Sequence, residues 1–460
     1  MNAKSESVQD NKMGVLPVNK LLVSMALPLI ISMLVQAAYN IVDSVFVSMV
    51  SEDALTAVSL AFPIQTVMIA VANGTGVGVN SILSKALGEK KHDEASQMAN
   101  HGIFLAFCSF LAFVLVGAFV SGPFYHSQVS ADSEIAIGGI QYMTICCCFS
   151  FGLFMQNMLE RLLQSTGHTI QTMISQSTGA IINIILDPLL IFGVGIFPEL
   201  GVAGAAIATV IGQHIAACIA FFMNIKYNTE ISLSLRKVFQ PKLDIIKRIY
   251  VVGVPTIIMQ SIGSVTTYGM NLILVSFTTT ATTVYGVYYK LQSIFFMPVF
   301  GLTSAMVPII AFNYGAQKRS RMVQTIKLGI CYALGFMVLG IVLFQAFPAQ
   351  LLSIFSASEN MLEIGVPALR TISLSYVFAG ACIVLGTTFQ ALGNGVYSMV
   401  VSFGRQIVVL LPVAYLLSKV GGLSAIWWAF PIAELMSMAL SLYFFLRIYR
   451  KVIRNVPDVA

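Results

Sequence analysis

Apolar runs of roughly 20 to 30 residues recur along the whole chain, separated by short polar stretches that carry most of the lysines and arginines. Each run is long enough to cross a hydrocarbon layer about 30 Å thick at about 1.5 Å per helical residue. The pattern predicts twelve spans, at roughly 21–48, 56–83, 97–121, 134–156, 162–192, 201–224, 249–276, 284–311, 323–347, 364–390, 397–418 and 424–446. A membrane β-barrel is excluded, because its strands are short and alternate in polarity.

Composition sharpens this picture. Of 460 residues, 57% are hydrophobic and 10% charged, against about 25% charged in an ordinary soluble domain. That excludes a soluble enzyme, a nucleic-acid binder and a disordered chain. The first run is too long for a cleavable signal. The seven cysteines lie in apolar runs without a CxxC spacing, and the five histidines are scattered. Neither a disulfide framework nor a zinc site is expected. No phosphate-binding G-x-x-x-x-G-K-[ST] occurs, and no nucleophile–base constellation is visible, so neither an ATP-driven pump nor an enzyme is read here.

The net charge of +6 matters by position. Lys4, Lys12 and Lys20 precede span 1, and Lys85, Lys90 and Lys91 follow span 2. Arg161 is assigned to the 4–5 loop. Lys226, Arg236, Lys237, Lys242, Lys247 and Arg248 fall between spans 6 and 7, Lys318, Arg319, Arg321 and Lys327 between 8 and 9, and Arg447, Arg450, Lys451 and Arg454 after span 12. Nearly all lie on one side of a twelve-span chain, which predicts cytoplasmic N- and C-termini in the cell membrane.

The chain repeats itself after about 227 residues. Pro28 in ALPLIIS matches Pro255 in GVPTIIM, SKALGEKKHDEA matches AFNYGAQKRSRM, and LLQSTG matches TFQALG. Six spans per half, an even number, predict two lobes related by a pseudo-two-fold axis along the membrane normal. The expected division is a tail (1–20), an N-lobe (21–224), a basic linker (225–248), a C-lobe (249–446) and a second tail (447–460). Two such lobes around a central pathway are a secondary-transporter plan.

Charges within spans are costly and therefore candidates for function. Asp43 lies about 33 Å along span 1 and Asp187 about 37 Å along span 5, so they share a depth. Gln36, Asn40 and Asp43 fall at i, i+4 and i+7, and Asn183 and Asp187 at i and i+4. Hard oxygens in this arrangement suit Na⁺ or a shared proton. Alternatively, each aspartate faces water at a helix end, and Asp187–Pro188 is a turn signal.

These residues also carry a resemblance. ALPLIISMLVQAAYNIVDSVFV, SKALGEKKHDEA, NIILDPLLIF and IIAFNYGAQ, in this order over residues 15 to 450, resemble the multidrug and toxic compound extrusion (MATE) family. The resemblance implies an antiporter that exports amphipathic, often cationic, compounds in exchange for Na⁺ or H⁺. One branch of that family has an ion site in the N-lobe. Asp43, Tyr142, Asn183, Asp187 and Thr209 match its pattern, with Asp43, Asn183, Asp187 and Thr209 as Na⁺ ligands if sodium is the coupling ion. The other branch uses acids in spans 7 and 10. Here span 7 has Gln260 and no acid, and the only acid near span 10 is Glu363 at its outer end, which assigns coupling to the N-lobe.

Arg405 in span 11 and Glu434 in span 12 reach similar depth, about 15 Å, and are expected to pair, structurally or at the cavity. Lys290 and Arg370 are expected either to snorkel or to line the cavity. Pro28 is a candidate hinge. The 22 Met and 31 Phe suit an adaptable apolar cavity or lipid-facing filler. The glycine run at 73–81 is read as close helix packing, and Cys146–Cys148 as packing too. The resulting expectation is an all-α, twelve-span, monomeric antiporter for a small amphipathic organic substrate, embedded in lipid, with no cofactor beyond the coupling ion. The alternative is a flippase for a lipid-linked or other amphipathic metabolite.

Overall fold

A computed structural model describes residues 11–130, 133–355 and 357–459, so Lys4 and the first half of the N-terminal tail lie outside it. The described residues are overwhelmingly helical. The first half holds span 1 (Val18–Val50), span 2 (Glu52–Gly88), span 3 (His92–Phe119), span 4 (Glu134–Cys148 with Phe151–Ser165), span 5 (Thr169–Ile191) and span 6 (Val202–Tyr227). The second holds span 7 (Leu243–Val275), span 8 (Thr279–Gly315), span 9 (Arg319–Ala346), span 10 (Glu359–Ser373 with Tyr376–Ala391), span 11 (Gly395–Val420) and span 12 (Ala429–Lys451). With each bent pair taken as one span, these are the twelve membrane helices of a two-lobe bundle.

Spans 4 and 10 bend by 44° and 49°. The breaks fall at matching places in the repeat, at Ser150 and Ser375, both buried serines. Span 4 was expected to end near residue 156 and span 5 to begin near 162. Instead the second helix of span 4 runs to Ser165 and span 5 starts at Thr169. Arg161 is therefore a helical residue within span 4, not a loop residue. The turn that separates the spans comes later, at Thr166–Gly167, where Gly167 takes a φ of +86° that favours glycine.

The basic loops gather at one end of the bundle, tied together by side chains. Arg248 pairs with Glu94 at 2.6 Å, and Lys91 with Glu89 at 2.6 Å. The ion pair with Glu89 holds the Lys91 ammonium above its ordinary pKa. The linker is strapped to span 3: Asn100 donates to the Ser232 carbonyl (2.9 Å), and the Lys242 amide donates to His101 Nε2 (2.7 Å). The C-terminal tail docks on span 9 through Ser320, whose amide and hydroxyl both donate to Asp458. Those bonds hold the Asp458 carboxyl below its ordinary pKa.

Glycines bring the lobes together in this basic half. A Cβ on Gly74 would meet the Gly253 carbonyl at 2.8 Å, and one on Gly78 the Ile249 carbonyl at 2.4 Å, so spans 2 and 7 touch backbone to backbone. At Gly88 and Gly315, spans 2 and 8 cross as closely. The expected packing role of the 73–81 run is met in this way. Ser81 adds cross-lobe hydrogen bonds to the Gln390 (3.0 Å) and Ala391 (3.1 Å) carbonyls. Among the described residues, every direct side-chain hydrogen bond between the lobes lies between Asn73 and the basic end. Large apolar side chains such as Ile41, Val45, Phe62 and Leu115 face outward, as a lipid-immersed surface requires.

Candidate functional site

Asp43 and Asp187 come together. Their carboxyl groups are within hydrogen-bonding reach of each other although 144 positions separate them in the chain. Asp187 is fully buried. The helix continues through Asp187–Pro188 rather than ending in a turn there. One oxygen of each carboxyl, Oδ1 of Asp43 and Oδ1 of Asp187, is buried without a partner. Two adjacent acids with orphaned oxygens are a costly arrangement unless a cation or proton sits between them.

Span 6 completes this group. The Asn183 amide fits its surroundings with the oxygen toward Thr209, accepting from the Thr209 hydroxyl (3.1 Å) and backbone N–H (3.0 Å). Its NH₂ then donates to Asp187 Oδ2 at 3.2 Å. Span 4 contributes Tyr142, buried and accepting from Gln65 at 3.0 Å. Tyr39 also reaches the cluster, one turn from Asp43. The sequence reading named neither Tyr39 nor Gln65. The i, i+4 spacing of Tyr39 and Asp43 was a signal for the first; nothing local marked Gln65, whose place depends on how span 2 packs against span 4. Asn40, expected on the Asp43 face, is exposed and donates no side-chain hydrogen bond.

Toward the basic end a cavity of about 210 Å³ adjoins the cluster. Gln36, Asn73, Gln156, Asn157, Gln164, Gln176, Asn183 and Gln213 line it, with Leu29, Met33, Ile69 and Leu153 as apolar wall. Of the methionines and aromatic rings, Met33 and Tyr39 line it. Gln36 is held by Gln176 (2.8 Å), and Asn157 donates to Asn73 (2.7 Å), which donates in turn to Gln260 of the C-lobe (3.4 Å). Gln260 thus sits at the lobe boundary.

Two charged residues line the cavity floor, and neither stands out in the sequence. Glu160 is buried and accepts from Gln156 (3.0 Å) and Ser175 (3.2 Å). Arg161, expected in a loop, donates to Gln164 at 3.0 Å. Ending span 4 too early placed this Glu–Arg pair in a notional loop, where charges draw no notice.

The C-lobe charges divide. Arg405 donates to Glu434 Oε1, so that pair forms as expected. Lys290 is exposed near the Phe355 ring (5.9 Å) and Arg370 is exposed, and neither lines the cavity. Pro28 is buried within an unbroken span 1. Cys146 and Cys147 are buried free thiols, and Cys148 packs on Gly117. Among the described residues no group of three or more His, Cys, Asp or Glu is placed to hold a metal.

Known proteins share this architecture. The MatE family model matches twice, over residues 28–189 and 255–416, starting once at Pro28 and once at its repeat partner Pro255. A FAD transporter of Shewanella oneidensis is 26% identical over 93% of this chain and 94% of its own. The multidrug export protein MepA of Staphylococcus aureus is 25% identical over 91% of both chains. The outward-facing structure of a multidrug resistance MATE family transporter superposes with a TM-score of 0.89 at 23% identity, covering 97% of this chain and 98% of that one. MATE in its straight conformation superposes with a TM-score of 0.90 at 23% identity, over 97% and 99%.

Proposed function

The chain belongs to the MatE family of membrane transporters, and we propose that it is a cation-coupled antiporter exporting amphipathic, cationic compounds from the cytoplasm. The observation that carries this reading is the Asp43–Asp187 pair with its two unpartnered oxygens beside the cavity. Na⁺ or H⁺ is the coupling ion and is itself carried, not resident. Asp43 and Asp187 supply hard oxygens for Na⁺, the Asn183 carbonyl and the Thr209 hydroxyl join them once their mutual hydrogen bond opens, and either carboxyl can take a proton instead.

The basic end is cytoplasmic in this reading, by the positive-inside rule. The lobes close there and the cavity is offered to the other side. An ion arriving from outside offsets one unit of the carboxylate charge, which weakens the attraction for an organic cation in the adjoining cavity. Glu160 at the floor of that cavity is a further counter-charge for the substrate. Loss of the ion to the cytoplasm restores the charge and the affinity. The exchange transports only if the two conformations hold ion and substrate with different affinity.

The test is efflux from membrane vesicles with Na⁺ and proton gradients imposed separately. Asp43→Asn and Asp187→Asn are expected to abolish gradient-driven transport with folding intact. Near wild-type export up a gradient by both variants would overturn the reading.

The amide-rich lining and Arg161 favour one alternative: a polar amphipathic metabolite with an acidic group, in keeping with the flavin nucleotide named for one relative and with the flippase-type alternative. Competition by flavin nucleotides for uptake of an organic cation separates the two, since only the alternative expects it.

A further inference from the structure

The chain enters its first span by crossing the basic face of the bundle. Residues Asn11–Leu16 bridge the linker, the N-lobe and the C-lobe within six positions. Asn11 donates to Glu230 Oε1 at 2.6 Å, and Glu230 belongs to the linker segment strapped to span 3. The Lys12 side chain lies over Gly167, where a Cβ would meet Lys12 Cε at 2.7 Å. Met13 is fully buried, and Gly14 sits against the Phe312 ring of the C-lobe.

The donors that hold this segment come from the C-lobe. Arg321 donates to the Met13 carbonyl (3.0 Å) and the Leu16 carbonyl (2.7 Å), and its Nε donates to Asn313 Oδ1 (3.0 Å). Asn313 itself donates to the Met13 carbonyl (3.1 Å), and Lys318 to the Gly14 carbonyl (3.3 Å). Four C-lobe donor bonds besides that of Lys318 thus converge on one short stretch and on Asn313. Carbonyls withdrawn from water need such partners, and a guanidinium supplies several in fixed geometry. Among the described residues Arg321 forms no ion pair, and its donors go to the segment and to Asn313.

We propose that Asn11–Leu16 is a latch that holds the two lobes closed at the basic end, with Arg321 as the positioning residue that fastens it. The segment touches both lobes at the place where the glycine contacts close them. Separating the lobes there breaks either the N-lobe contacts of Asn11 and Lys12 or the C-lobe contacts of Met13, Gly14 and Leu16. The latch therefore opposes opening toward the basic side and leaves the opposite side unaffected. The proposal rests on the alternating-access reading above but not on the identity of ion or substrate.

Its test reads lobe separation directly. In the full-length, cysteine-free protein, Ser81→Cys reports opening, because Ser81 is buried at the lobe contact. Inside-out vesicles expose the basic side to an impermeant thiol reagent. Arg321→Gln is expected to raise the labelling rate on the order of ten-fold, the loss of charge-assisted bonds being that large. Arg321→Lys, which keeps the charge and a donor, should restore most of the protection, and Arg236→Gln in the linker should leave it unchanged. Should Arg321→Gln fail to accumulate, Asn11→Ala removes the opposite anchor and should raise labelling more modestly. Wild-type labelling rates in folded Arg321→Gln, or in folded Asn11→Ala where it is used instead, overturn the latch. Loss of vesicle efflux with unchanged labelling would also overturn it, because the defect would then lie in ion or substrate handling.

Discussion

Arg405 in span 11 donates to Glu434 in span 12, which is almost fully buried while Arg405 remains about one-third exposed (side-chain exposures of 9% and 34%). The arginine sits at the start of Gly404–Leu410, a stretch of wider, π-type winding within span 11. The second Glu434 oxygen has no partner, so the pair is incompletely satisfied and depends on both members. Removing either partner strands a charge, at a cost of about 3–5 kcal/mol for a buried pair. Arg405→Ala and Glu434→Ala are each expected to lower the yield of folded protein, and the double variant to recover part of it. Detergent-extracted monodisperse protein and its Tm measure this. A double variant as poor as the sum of the singles would show that the two do not act together.

Neutralising the cavity floor separates substrate charge from coupling. Glu160→Gln keeps shape and the hydrogen bond from Ser175 but removes the charge. Affinity for a monocationic substrate is expected to fall roughly ten-fold, as for loss of one partly compensated charge interaction. Affinity for a neutral analogue should barely change. Binding titrations with the two ligands check this; equal losses for both would assign Glu160 a structural role.

Gly78 tests the lobe contact between spans 2 and 7. A methyl group there meets the Ile249 carbonyl at 2.4 Å, a backbone atom that cannot rotate away. Gly78→Ala is expected to cost about 1–3 kcal/mol, as overpacking does, and to be expressed as easier opening at the basic end. Gly122→Ala, with open space around its Cβ position, is the control. Accessibility of a cysteine at Ser81 compares the two.

The topology makes a further expectation. A single cysteine replacing Lys237 in a cysteine-free background should resist an impermeant thiol reagent applied to intact cells. Rapid labelling from outside would invert the assignment of the basic end.

Gln260 discriminates between the lobes. Its side chain accepts from Asn73 across the boundary, at 3.4 Å, so Gln260→Ala should leave ion dependence intact and change transport rate by no more than a few-fold. A lost ion dependence, read in the same vesicle assay, would move coupling to the C-lobe.

Length and placement of the apolar runs determined the helical class, the spans and the doubled plan, because a membrane demands about 20 apolar residues per crossing and satisfied backbone groups within each. Depth arithmetic sufficed for Asp43 with Asp187 and for Arg405 with Glu434, since straight helices rise by a constant amount per residue. Rotation about the helix axis was less legible. Gln36, Asn40 and Asp43 share a stripe in an ideal helix, yet packing turns Tyr39 rather than Asn40 toward the cluster. The bends at Ser150 and Ser375 left no local mark, and ending span 4 near residue 156 instead of Ser165 put Glu160 and Arg161 in a supposed loop. The amide character of the cavity and the crossing of Asn11–Leu16 beneath both lobes were decided only by tertiary structure. Both depend on contacts between residues tens to hundreds of positions apart, which no local period encodes.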